Sequence, residues 1–536
     1  MNVIVFNNIK LPINASVEEA FSVVKRKLSS LNITSRVDFF VYRRSIDARK
    51  KDNIYFVYSI GVRGVGDKID PNKLAEKDAV LISSASPEFS YGTAPISAPP
   101  VIVGAGPCGL LAALLLAENG YRPIVLERGG SVSERKDAVD KFNRMHILDT
   151  ETNIQFGAGG AGTFSDGKLV TRINDPLSAY VLDKFVEFGA PEEIKYIAKP
   201  HIGTDILSGV IERMIDRIVS LGGRIEYHTR FISPISRFGE IVGVKTSIGD
   251  ISAGALILAV GHSARDTYES LLDLGMKIEA KPFSVGMRIE HLSSDIDTAL
   301  YGRFAGNKAL GRAEYNLSHN TKDRGVYTFC MCPGGVVVAA ASEHGGLVVN
   351  GMSYNSRSGV NSNSAVACSI FKEDYGATPK KAIEFQRMIE RAAFSAAGGQ
   401  YAAPIITVGD FLADKCKSEP SRILPTYMGG ENVRLVSPAE YLPEFVISSI
   451  KSALIGFDKK ISGFAASDAV LTGAETRTSA PIRIIRDKST RLAPGYLNFY
   501  PAGEGAGYAG GITSAAIDGI KSAISIINTY KPIDRR

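Results

Sequence analysis

The stretch VIVGAGPCGLLAALLLAENGYRPIVLERGG, residues 101–130, constrains this chain more than any other. An apolar run at 101–103 leads into Gly104-Ala-Gly106-Pro-Cys-Gly109, followed by a leucine- and alanine-rich segment and a second apolar run at 124–126. Strand, glycine turn, helix and strand in that order form the context in which G-x-G-x-x-G holds a dinucleotide. Gly104 permits the tight turn, Gly106 lets backbone approach a pyrophosphate, and Gly109 lets helix and strand close up. The helix start offers unpaired N–H groups to the phosphates. Pro107 suits the first helical turn and Gly120 the stop, and Cys108 reads as a small packing residue. Glu127, about 20 residues past the glycines and followed by Arg128, is placed to accept hydrogen bonds from both adenosine ribose hydroxyls. The motif alone leaves FAD and NAD open.

A chain of 536 residues is too long for one core and predicts two or three domains. No apolar run reaches about 18 residues, and the start MNVIVFNNIKL lacks the charged opening and cleavage site of a signal peptide, so the expected location is the cytoplasm, away from membranes. Five cysteines, an odd number without repeated spacing, argue against a disulfide framework. The net charge of +6 fits a solvated surface better than a nucleic-acid groove. Residues 2–6, 37–43 and 54–61 predict strands and 17–30 an amphipathic helix, a small α+β unit closed by the Ser- and Pro-rich stretch 84–100. Within it RRSIDARKK, residues 43–51, is the densest basic cluster: a solvated turn, or a contact for RNA, protein or an anionic substrate.

A second glycine cluster separates FAD from NAD. NIQFGAGGAGTFSDGKLVTR, residues 153–172, packs Gly157, Gly159, Gly160 and Gly162 ahead of Thr163 and Ser165, a set of amides and hydroxyls able to crowd a flat, hydrogen-bonding ring system. GALILAVGHSARD, residues 254–266, is a buried strand ending in Gly261-His262, where His262 touches cofactor or caps a turn. YLNFYPAGEGAGYAGGITSAAIDGIKSA, residues 496–523, gives a strand, Gly503-Glu504, and a run through Gly510 and Gly511 into a helix beginning near Ile512. Three segments converging on one nucleotide are more chain than NAD needs. The expectation is a resident FAD, noncovalent because no histidine or cysteine lies in an attachment context.

Together these segments resemble the FAD domain of glutathione-reductase-like flavoproteins and, more narrowly, the family of uncharacterised bacterial FAD-dependent dehydrogenases. FGAGGAGTFSDGKL, AVGHSARDTYE, GMRIEH, YTFCMCPGGVVVAAASE, NGMSYNSRSGVNSNSA, GAETRTSAPIRI and YPAGEGAGYAGGITSAAIDG are similar to that family's motifs, in order, over nearly the whole chain. The resemblance implies an α/β fold: a glutathione-reductase-like FAD-binding Rossmann domain, an inserted, mainly antiparallel β substrate domain, and a small N-terminal α+β domain. The expected bounds are 1–95 for the N-terminal domain, 96–274 and 466–536 for the two parts of the FAD domain, and 275–465 for the cap. It also implies that Glu504, where aspartate is commoner, holds the ribitol chain, and that the helix near Ile512 aims its positive end at the flavin N1 and O2 edge.

The cap should carry the substrate. VYTFCMC, VVVAAAS and LVVNGMSY, joined by glycine turns, predict an antiparallel meander forming the second wall over the flavin. No second strand-G-x-G-x-x-G-helix unit is legible there, so any NAD(P)H that delivers electrons has to dock transiently on the flavin face. Arg288, Glu290 and His291 in GMRIEH offer a cation, a base and an imidazole, with Arg288 and Glu290 on one strand face and His291 on the other. A structural histidine bonded to backbone is the alternative. Arg357 and Arg477 can clamp an anion bidentately, or pair with neighbouring acids such as Glu475. Cys330 and Cys332 are a thiol relay, or thiols lining a pocket; an extended strand holds them about 6.6 Å apart, at the outer limit for a disulfide. No metal site is expected, since Cys368 and Cys416 lie far along the chain. The expected activity is hydride transfer between FAD and a small organic molecule; the other readings are an RNA-modifying flavoprotein using the basic N-terminal unit and a flavin redox sensor without turnover. The oligomeric state is not legible.

Overall fold

The computed structural model describes residues 2–31, 37–64, 74–83, 86–164, 167–171, 173–321 and 323–533. Strands Asn2–Pro12, Asp38–Asp47, Tyr55–Arg63 and Ala79–Ser83 form an antiparallel sheet in the order second, third, first, fourth. The helix Val17–Ser30 buries Ala20, Val24 and Leu28, a stripe at helical spacing, against it. The fourth strand was not legible in the sequence. The edge strand Asp38–Asp47 is tied to the next region through Arg44, whose N–H donates to the Tyr196 carbonyl while its carbonyl accepts from Ala198 N–H.

The nucleotide half is a parallel sheet in the order Phe499–Pro501, Ala255–Leu258, Pro100–Val103, Ile124–Leu126, Arg224–Glu226. Its central strand is buried throughout, as a strand covered on both faces must be. The helix Pro107–Glu118 is apolar all round because the sheet covers one side and the C-terminal helix Ile512–Thr529 the other. At their crossing a side chain on Gly519 would strike the Cys108 carbonyl oxygen at 2.0 Å, so glycine sets the approach. A three-stranded antiparallel unit, Phe231–Arg237, Glu240–Thr246 and Gly249–Ser252, precedes the strand Ala255–Leu258.

The cap is a seven-stranded sheet in the order Ser318–Asn320, Gly325–Cys332, Asn361–Ile370, Phe283–Leu292, Val470–Glu475, Ala403–Thr407, Val433–Leu435, antiparallel except for its last pair. The expected meander is not formed. Gly325–Cys332 lies in this sheet, but Val336–Ala339 pairs with Val349–Met352 in a separate ribbon. A bulge between Phe329 and Cys332, with Cys330 at φ 42°, leaves Cys332 paired with Asn363; the chain leaves the sheet beyond it, where Gly334 takes φ 54°, and Gly325–Cys332 has Asn361–Ile370 as its neighbour there. No helix among the described residues is long and apolar enough to cross a membrane.

Candidate cofactor-binding site

The glycine turn is built for close backbone approach. Gly104 has φ 103°, and a side chain there would meet the Ala259 carbonyl oxygen at 2.4 Å; one on Gly109 would meet the Gly104 oxygen at 1.9 Å. Gly106 differs: a side chain there would meet only the Gly160 Cα, at 3.7 Å. Gly106 is also the N-cap of the helix that Pro107 opens, with no side chain capping it. Beneath the turn, the buried Cys108 thiol packs on Gly503, and burial pushes its pKa up.

Glu127, 4% exposed, is engaged by backbone: one carboxylate oxygen accepts from Ala105 N–H at 2.9 Å, the other from Gly129 at 3.0 Å and Gly157 at 2.9 Å. A carboxylate offers about four acceptor positions, so there is room for one ribose hydroxyl rather than the two the sequence suggested. Arg128 is paired bidentately with Glu151 and singly with Asp266, its guanidinium 4.2 Å over the Phe156 ring.

The second glycine loop lies on the first. Gly159 N–H donates to the Ala105 carbonyl, a side chain on Gly160 would sit 2.9 Å from the Gly106 Cα, and one on Gly162 would sit 2.9 Å from Ile512. One loop thus touches the dinucleotide turn and the start of the C-terminal helix. Gly157, Gly159 and Gly160 all have φ between 64° and 116°, which only glycine takes without strain. Thr163 is 1% exposed and its hydroxyl has no hydrogen-bond partner among the described residues. Ser165 lies outside the described residues. Arg135, which sequence reasoning missed, is wholly buried and donates to the carbonyls of Asn153, Ile154, Ala158 and Gly160 at 2.6–2.8 Å, with Gly157 at 3.5 Å. The signal was its place on the apolar helix stripe of Val132, Val139 and Phe142.

The C-terminal segment closes the third side. Gly503 N–H donates to Asp518, itself paired bidentately with Arg486, which fixes the turn before Glu504. Glu504 is half-buried with neither hydrogen-bond nor ion-pair partner for its carboxyl among the described residues; burial, partly offset by Lys281, pushes its pKa up to about 7. Side chains on Gly261, Gly510 or Gly511 would meet no atom within 4 Å. Gly511 caps the C-terminal helix, again without a side-chain partner. Open space thus lies off Gly261, Gly510 and Gly511 and, but for one backbone atom, off Gly106; the unpartnered Thr163 hydroxyl belongs to the loop that touches Gly106 and Ile512, and Glu504 precedes Gly505, which packs on Gly261. These donors and acceptors fit FAD: helix starts for negative charge, carboxylates for hydroxyls, glycine backbone for a flat ring.

His262 follows Gly261, on whose carbonyl Gly505 packs. Gln155 Nε2 donates to the Ala340 carbonyl at 3.2 Å, which orients the amide; Ser263 Oγ then donates to Gln155 Oε1 at 3.1 Å. Ser263 Oγ must accept from His262 Nδ1 at 2.9 Å, leaving Nε2 as a bare acceptor. Burial, then the Arg477 and Arg265 charges, lower its pKa to about 3, so the ring stays neutral.

The cap candidates are held by protein partners. Arg288 is wholly buried: Nη1 donates to both Glu475 oxygens at 2.7–2.8 Å, Nε to Asn363, and Nη2 to the Cys330 carbonyl at 2.5 Å. Glu290, on the same strand face, accepts from Asn361 and from Thr426 N–H and Oγ1. His291 bonds through Nε2 to the Phe464 carbonyl at 2.7 Å, and burial lowers its pKa. Arg357, with φ 49°, pairs with Glu314 at 2.5 Å. Arg477 pairs with Glu390 rather than with Glu475, which belongs to Arg288. Cys330 and Cys332 are not joined in a disulfide; Cys332 Sγ donates to the Cys330 carbonyl at 3.2 Å, and burial pushes Cys330 up to about 12. No metal-binding group of His, Cys, Asp or Glu occurs among the described residues. The second glycine loop thus touches both the first glycine turn and Ile512, Gly505 next to Glu504 packs on Gly261 next to His262, and Arg288, His291 and Arg357 sit in cap ion pairs or backbone bonds.

Residues 98–152 match the family described as FAD binding domain, residues 282–478 that described as FAD-dependent protein, C-terminal domain-like, and residues 4–63 a domain of unknown function. A Clostridium beijerinckii protein described as uncharacterized is 44% identical over 527 residues, covering 97% of this chain and 98% of its own length. Among solved structures, glycine oxidase from Bacillus cereus is 11% identical, with TM-score 0.36 over 82% of this chain and 99% of its own. L-amino acid deaminase from Proteus vulgaris is 14% identical, with TM-score 0.32 over 84% and 98%.

Proposed function

The chain belongs to one family with the Clostridium beijerinckii protein and carries an FAD-binding domain, and from that premise we propose that it is an oxidoreductase of the glutathione-reductase-like kind, acting on a small organic molecule. The observation that carries the reading is the open space off Gly106, Gly261, Gly510 and Gly511, two of which are uncapped helix starts. Noncovalent FAD, when bound, supplies hydride exchange at N5. The chain's own work is binding and orientation: the helix begun by Pro107 receives the pyrophosphate, Glu127 a ribose hydroxyl, Glu504 and the neutral His262 other hydroxyls of the cofactor. The helix start at Ile512 favours negative charge on the reduced ring. The cap excludes water from the opposite side, and a nicotinamide donor docks there only for the time of transfer.

Anaerobic titration of the purified yellow protein tests this. NADH, NADPH or a metabolite from a panel should bleach the flavin, with two electrons taken up per flavin in wild type and in Cys330→Ser and Cys332→Ser alike. A protein that carries no flavin and takes up none sinks the proposal; bound FAD that no reductant in the panel bleaches leaves a flavoprotein without turnover. Uptake of four electrons, falling to two in either variant, would give the thiols a redox part.

A further inference from the structure

Arg135 has no ion pair among the described residues; its single carboxylate influence, Glu127, acts from across the glycine loop. A buried guanidinium is costly unless an anion compensates it, and hydrogen bonds to carbonyls satisfy its donors without neutralising its charge. Burial pulls its pKa down to about 9, which leaves it a cation at neutral pH. The loop it holds is oriented end to end: Gly157 N–H donates to Glu127, while the carbonyls of Ala158 and Gly160 point at Arg135. That same loop rests on Ala105 and Gly106, the turn that receives the dinucleotide. The cation therefore stands one peptide layer below the place where negative charge is to sit, in a region from which water is excluded.

We infer that Arg135 is the buried counter-charge of the dinucleotide pyrophosphate, a positioning residue acting through the peptide planes of the glycine loop. It rests on the FAD reading above and adds to it a residue and a charge that the glycine motif does not contain. At short range in a partly buried setting, one unit charge on a doubly charged group outweighs a typical neutral hydrogen bond.

The test uses full-length protein stripped of FAD and titrated calorimetrically with FAD, ADP and adenosine. In wild type, ADP should bind at least about tenfold more tightly than adenosine. Arg135→Met should cost FAD and ADP about tenfold or more while changing adenosine by less than about twofold. Arg135→Lys, which keeps the charge and loses most of the carbonyl contacts, should recover part of the ADP affinity. Equal losses for ADP and adenosine would mean that Arg135 only shapes the loop, and the inference fails. Should Arg135→Met not fold, Arg135→Lys and the wild-type gap decide: a gap below about tenfold overturns the inference without any variant. Wild-type apoprotein that binds neither FAD nor ADP removes the FAD reading itself, whereas FAD binding with a flat ADP-to-adenosine ratio removes only the role of Arg135.

Discussion

The molecule buries two groups of charge and builds them by different rules. Below the glycine turn, Arg135 and Glu127 spend their hydrogen bonds on backbone, Arg135 on carbonyls and Glu127 on amides. In the seam between nucleotide half and cap, Arg265 and Arg477 both pair with Glu390, which is 1% exposed, and Gln386, Glu343, Thr476 and Ser342 complete the bonds. The seam balances charge with charge: burial opposes ionisation of Glu390, yet the two arginines hold its carboxyl below the usual range. The loop instead holds one cation and one carboxylate that do not touch, each bonded to backbone. A backbone-held cluster of that kind is shaped for a ligand, whereas a side-chain network satisfied within itself locks one part of the protein to another.

The largest expected effect tests the seam. Glu390→Ala strands the buried Arg477 guanidinium and leaves Arg265 with Glu343 alone, and should cost about 3–5 kcal/mol in urea unfolding, with little change in FAD affinity per folded molecule. A loss below about 1 kcal/mol would mean that the seam is hydrated and does not lock the two halves.

The glycines sharpen the contrast from the other side. Gly106→Val and Gly510→Val point into open space, so the apoprotein should unfold within about 1 kcal/mol of wild type while FAD binding weakens about a hundredfold, roughly 2.7 kcal/mol. Gly109→Val, which collides with the Gly104 carbonyl oxygen, should lower stability itself. If Gly106→Val and Gly109→Val behave alike in both assays, the space is not the cofactor's.

The smallest effect concerns Glu504. Its carboxyl takes up a proton near pH 7 in the folded apoprotein and near 4.5 when unfolded. Between those values the folded chain binds more protons, so its stability falls as pH rises from about 4.5 to 7, by about 2 kcal/mol after allowing for its partial exposure. Urea midpoints of apoprotein at pH 5 and pH 8 should show the drop, and Glu504→Gln should flatten it. A wild-type stability that rises over this range would place the carboxyl among partners rather than facing the open space.

The sequence by itself determined the nucleotide half: the strand Pro100–Val103, the glycine turn, the helix begun by Pro107, and the helix begun by Ile512 all stand where the residues predicted them. These features are local, since a turn's φ, a helix start and an apolar strand are set by residues a few positions apart. The same locality made Gly106 and Gly510 legible as glycines, and the structure leaves space beside both. The N-terminal strands and helix were legible for that reason too, with the fourth strand, Ala79–Ser83, missed.

The cap was not legible in this way. Arg288 finds Glu475 across 187 residues of chain, Arg265 finds Glu390 across 125 and Arg477 finds Glu390 across 87. From the motif GMRIEH alone, a buried ion pair and a reacting cation look the same, because the partner that distinguishes them lies on a strand brought alongside only by folding. The meander failed for a related reason: the strand that pairs with Gly325–Cys332 in place of the adjacent Val336–Ala339 is the more polar Asn361–Ile370, from farther along the chain. Arg135 combines both cases. Its place on an apolar helix stripe is written in the sequence, but the carbonyls that receive it come from a loop whose path depends on the folded turn beneath it. Local backbone geometry is a property of short stretches, while compensation of buried charge is a property of which distant stretches meet, and only the tertiary structure decides that.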